Sequence, residues 1–213
     1  MLWPSILTGA AVFSGIVFVW STYAGTQTQQ YIFKPLTTLL ILGIALTLPE
    51  PVSSFYRIAV AIGMLFSLGG DIFLMLPGNT FVFGLVSFLV AHLFYIAAYQ
   101  SRAGFRFTFW LFLLYALFFG VMLYLLWPHI GALRLPVVIY ALVLVGMGWQ
   151  AAEQWWVLRD RSALLAMAGA LLFMLSDGSL ALNKFRAPIP QHNLIIMTTY
   201  YGAQLLIAWS VHL

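Results

Sequence analysis

The chain has 213 residues, 63% of them hydrophobic and 7% charged, with a mean hydropathy of +1.01. There is too little polar surface here to cover a water-soluble globule, so composition excludes the soluble classes and leaves an integral membrane protein. Nine Lys and Arg against five Asp and Glu give a net charge of +4, but the basic residues stand singly between apolar runs, as membrane anchors do, and form no tract for nucleic acid. Cysteine is absent, which removes disulfides, thiolate nucleophiles and cysteine metal sites.

The first apolar run covers about residues 3–23; no Lys or Arg precedes it and no cleavage site is evident, so it reads as a retained span rather than a signal peptide. A second, over 32–48, opens at Lys34 in YIFKPL. The third, 55–76, carries Asp71 inside LFSLGGDIFLMLP, and the fourth, 80–100, carries His92 and Tyr95 in AHLFY. The fifth and sixth, 107–127 and 134–155, are apolar, whereas the seventh, 162–183, carries Asp177 in LLFMLSDGSLALNKF and ends at Asn183 and Lys184. The eighth, 192–212, holds Tyr200, Tyr201 and Gln204. Each run is close to the roughly 20 residues that a helix needs to cross a bilayer. Strands of ~10 residues would leave such runs unfilled, and the polar alternation of a barrel is missing. The expected fold is therefore all-α: a polytopic bundle of eight transmembrane helices forming a single domain over 1–213. Trp and Tyr gather near the proposed span ends, as interfacial belts require. GDIFLML aligns loosely on DGSLALN, which suggests a 4+4 internal pseudo-repeat.

The third and seventh spans run in the same direction. Asp71 lies six residues before Pro77 and Asp177 six before Asn183, so each acid sits about 9 Å inside the same face at 1.5 Å per residue. That face also holds Lys34, Arg134, Lys184 and Arg186, while the face carrying the N-terminus holds Arg57, Arg102, Arg106, Arg159 and Arg161. Because most of the first group sits beside the acids and is assigned to a ligand, both termini are placed in the cytoplasm.

Intramembrane acids can be explained in three ways. Each can simply be neutralised by a base such as Lys34 or Lys184. A proton-coupled transporter can use them as carriers, although no span is broken by an internal Pro-Gly pair. An enzyme can divide general acid and general base work between two carboxyls in unlike surroundings. Such acids mark a functional cavity more often than not. Lys34, Lys184 and Arg186 at that face can hold a phosphate or reach for lipid headgroups. His92 has no second histidine or acid at i+3 or i+4, so no metal is expected, nor any other cofactor. Tyr95, Tyr200, Tyr201 and Gln204 can donate hydrogen bonds into the cavity or link helices. LGGD has one feature of intramembrane aspartyl proteases, but Leu68 and Ser176 stand where that motif has glycine and tyrosine.

The order FKPLTTLL (33–40), GDIFLMLP (70–77), AHLFY (91–95), SDGSLALNKF (176–185) and TYYGAQLLI (199–207) resembles the YhhN and TMEM86 family of lysoplasmalogenases. The resemblance implies hydrolysis of the vinyl ether bond of a lysoplasmalogen to a fatty aldehyde and glycerophosphoethanolamine or glycerophosphocholine. It further implies Asp71 and Asp177 as the catalytic pair, with Lys34, Asn183 and Lys184 in the pocket. Flanking residues make Asp71 the more apolar of the two and hence the expected acid, with Asp177 the base. The expected partners are a lysophospholipid substrate and membrane lipids, with no obligate protein partner. The expected location is the bacterial inner membrane.

Overall fold

The computed structural model describes residues 2–212. Met1 and Leu213, which the single-domain reading includes, lie outside the described residues. Eight α-helices follow one another: α1 (Leu2–Ala24), α2 (Gln27–Thr47), α3 (Ser54–Met75), α4 (Phe81–Ala103), α5 (Phe109–Leu126), α6 (Arg134–Leu158), α7 (Arg161–Ala181) and α8 (His192–Trp209). A single 3₁₀ turn, Gly131–Leu133, precedes α6, and a π turn, Leu182–Arg186, continues α7. Seven of the eight are long and apolar enough to cross a membrane. The exception, α8, is 18 residues long and turns Tyr200, Tyr201 and Gln204 into the bundle, so internal packing rather than lipid accepts its polar groups.

Two helix starts show how local chemistry moved the boundaries. α2 begins five residues before the expected 32, because Thr26 and Gln29 form a reciprocal capping box that satisfies the first backbone donors. Lys34 consequently sits about 10 Å inside the helix start at 1.5 Å per residue, rather than opening it. α7 is capped by Asp160, whose carboxylate accepts the Ala163 N–H at 2.8 Å and pairs with Arg102 at 2.8 Å. Partial burial pushes this carboxyl up, but the hydrogen bonds from Arg102 and Ala163 outweigh it and hold Asp160 below the usual carboxylate range.

The helices pack as a ring, α2–α3–α4–α6–α7–α8 and back to α2, with α1 against α2 and α8 and α5 against α6. Small residues set the close approaches. A Cβ at Gly169 would stand 2.8 Å from Ile207 and 2.9 Å from the Ala203 carbonyl, so α7 and α8 meet backbone to backbone there. At Gly70 a Cβ would collide with the Phe88 ring, a contact that shapes the site. α5 is the least enclosed helix: Leu111, Tyr115 and Leu126 are its buried residues. Its start is tied down by Glu153 of α6, which is 1% exposed and accepts the Thr108 N–H at 2.6 Å, the Thr108 hydroxyl at 2.8 Å and the Trp149 indole N–H at 2.9 Å. Three donors satisfy this buried acid as a structural clamp.

Candidate active site

Asp71 lies one turn before the end of α3, on the inward face it shares with Ser67 and Gly63. It is 1% exposed, and every donor around it comes from another helix. The Lys34 ammonium stands 3.5 Å from one carboxylate oxygen and donates to the Asp71 carbonyl at 3.3 Å. Thr38 and Tyr200 each donate to the other carboxylate oxygen at 2.7 Å. Lys34 and Thr38 are four residues apart, so one face of α2 presents ammonium and hydroxyl together. The network continues inward. Gln204 donates to the Tyr200 hydroxyl at 3.3 Å, Tyr95 donates to Gln204 at 3.0 Å, and Ser67 lies 3.3 Å from the Tyr95 hydroxyl. Four helices are joined by this buried chain of polar groups, each satisfied by the next.

Asp177 has different company. Its carboxylate accepts a hydrogen bond from Tyr140 of α6, and among the described residues no cation pairs with it. Asp177 and Tyr140 supply the polar part of a narrow cavity of about 70 Å³, whose wall includes Phe88, Phe118, Met122 and Met174. Phe81 and Phe185 also line it, and the Lys184 ammonium sits 4.1 Å and 6.0 Å from the centres of those two rings. A cation therefore stands at the rim of an apolar chamber that has one carboxyl inside it.

Aromatic rings separate the two acids. Phe88 and Phe173 stack edge-on to Tyr200 at 5.8 and 5.4 Å between centroids, His92 meets Phe173 at 4.7 Å, and Tyr140 meets His92 at 5.4 Å. Gly70 is what lets Phe88 into this partition. The two carboxyls have separate hydrogen-bond partners and share no hydrogen bond. Both ring nitrogens of the fully buried His92 lack a hydrogen-bond partner among the described residues.

Lys34, Tyr95, Tyr200 and Gln204 thus come together in the network around Asp71, and Lys184 comes to the chamber of Asp177. Asn183 instead accepts the Ile189 N–H at 2.9 Å and pins the loop before α8. Tyr201 faces α1, with its ring against Gly15 and 6.1 Å from Phe18, away from the Asp177 chamber. Sequence reasoning missed Thr38, Tyr140 and the Phe88–Phe173 partition. Thr38 was within reach, as the i+4 neighbour of Lys34; Tyr140 carries no local signal, because its partner is 37 residues away. Among the described residues no three His, Asp or Glu side chains come together to hold a metal ion.

Fold and site define a polytopic helical membrane protein with two unlike carboxyls near one end of the bundle, Asp71 buried and Asp177 partly so. The model of the YhhN family matches residues 29–211, and the chain belongs to that family. It is 36% identical to bovine "Lysoplasmalogenase TMEM86A" over 181 residues, 79% of this chain and 69% of the relative. It is 41% identical to human "Lysoplasmalogenase TMEM86B" over 145 residues, 66% of this chain and 58% of the relative. Over the full length of both chains it is 31% identical to "Uncharacterized membrane protein YhhN" of Escherichia coli O157:H7. No solved structure matches at a significant level.

Proposed function

We propose that this protein hydrolyses the vinyl ether bond of a lysoplasmalogen inside the membrane, releasing a fatty aldehyde and the glycerophospho-headgroup alcohol. The relatives named lysoplasmalogenase support the reaction. The observation that carries the chemistry is the Asp177 carboxyl in the wall of an apolar chamber whose rim holds Lys184. A headgroup phosphate near Lys184 would put the ether of a single-chain lipid a few ångströms inside, at the level of Asp177.

Hydrolysis of a vinyl ether begins with a proton added to the β-carbon of the double bond, which leaves an oxocarbenium ion on the ether side. Water adds to that ion and loses a proton, and the resulting hemiacetal collapses to aldehyde and alcohol. One acid that gives its proton to carbon and regains one from the attacking water completes the cycle. Asp177 takes that part because it reaches the chamber, with the Tyr140 hydroxyl orienting its carboxyl. This differs from the division that the flanking residues alone suggest, with Asp71 as acid and Asp177 as base: both proton transfers fall to Asp177. Asp71 does not line the chamber; it acts from behind the partition, as a fixed charge in the Lys34–Thr38–Tyr200 cage that shapes the field at the cation. A carrier using the same acids would bind the lipid and leave it intact.

The test is to supply purified protein with a lysoplasmalogen and with its ester analogue and to assay aldehyde and free fatty acid. Aldehyde from the vinyl ether, lost in Asp177→Asn, is the expected result. Fatty acid released from the ester at a comparable rate would overturn the proposal.

A further inference from the structure

A second apolar groove, about 510 Å³, runs between α5, α6 and α7. That volume falls within the range of sites that hold a small ligand. It shares Phe118 and Met174 with the wall of the Asp177 chamber, so the two spaces adjoin across those side chains. Its far end is formed by Met167 and by Trp110 and Trp156, whose rings close edge to face at 5.0 Å. The Arg159 guanidinium covers the outer side of Trp156 at 4.1 Å. From Asp177 to Met167 is ten residues of α7, roughly 15 Å of helical rise. Half of a hydrocarbon core about 30 Å thick is the same distance, which is the reach of one lipid chain.

We infer that this groove is the subsite for the hydrocarbon chain of the lysolipid and that Leu114 and Leu171, midway along it, measure chain length. The inference rests on the proposed reaction for the identity of the lipid but needs no turnover to be tested. A chain threaded here carries the vinyl ether past Asp177, while the headgroup stays at Lys184. Leu114 and Leu171 are 57% and 40% exposed towards the groove and the surrounding lipid, so a larger side chain at either fits without disturbing the bundle core.

An alkyl-ether lysophosphocholine with a diazirine at its tail end is the probe, irradiated with the purified protein in phosphatidylcholine vesicles. Label is expected on Trp110 and Met167, reduced about tenfold in Leu171→Trp and unchanged in Leu65→Trp, an exposed leucine on α3 outside the groove. With hydrolysable substrate, Leu171→Trp should lose about tenfold in kcat/KM on long chains and keep its rate on short ones. Label spread evenly around the bundle, or unaffected by Leu171→Trp, would overturn the subsite whether or not aldehyde forms. Labelling as expected without aldehyde from any substrate would uphold the groove and refute the proposed reaction instead.

Discussion

Lys34 and Asp71 are each other's neutraliser, and that coupling makes their variants informative. Removing one partner of a buried pair strands the other charge and costs about 3–5 kcal/mol. Lys34→Met alone should therefore lower the unfolding midpoint in detergent far more than the double variant Lys34→Met/Asp71→Asn, which removes both charges. Activity should stay lost in the double variant if Asp71 contributes to the reaction; near-normal turnover there would reduce Asp71 to a packing role. Tyr140→Phe keeps the ring against His92 and deletes only the hydroxyl on Asp177. It should fold like the parent and lose about 10²-fold or more in kcat, a comparison made by single-turnover assay beside a melting curve.

At the level of helices, Asp160 ties the start of α7 to the end of α4. Asp160→Ala removes the cap and should cost about 1 kcal/mol, whereas Asp160→Asn keeps a capping oxygen and should cost less. Because the folded value of Asp160 is depressed, its contribution is present above the ordinary aspartate value, ~3.9, and lost as pH falls through the folded one. Thermal melts of parent and Asp160→Asn should therefore converge in acid; a constant gap down to low pH would contradict this. Most helices were legible because an apolar run has to be about as long as the bilayer is thick. The early start of α2 was legible only through the Thr26–Gln29 box, hidden in a polar stretch that hydropathy reads as loop. The acids themselves stood out by being charged in apolar runs. Their surroundings did not, since Tyr140, Tyr200 and Phe173 reach them across helix interfaces that no local periodicity encodes. Glu153 shows the converse: an acid near the end of α6 that no motif singles out and that the fold buries under three donors.

Across the whole molecule, two intramembrane carboxyls are held apart by an aromatic partition, Asp71 caged with a lysine and Asp177 facing an apolar chamber that adjoins a longer groove. A purely structural ion pair has no need of a carboxyl facing the chamber with only a phenol for company. Proton delivery to carbon does. The most direct measurement is turnover of lysoplasmalogen in heavy water, with the aldehyde trapped at once and examined by mass spectrometry. If a carboxyl in exchange with solvent protonates the β-carbon, the product carries one deuterium on the carbon next to the carbonyl, and the rate falls in heavy water because that transfer is slow. Aldehyde formed without that deuterium would contradict protonation at carbon and, with it, the role assigned to Asp177.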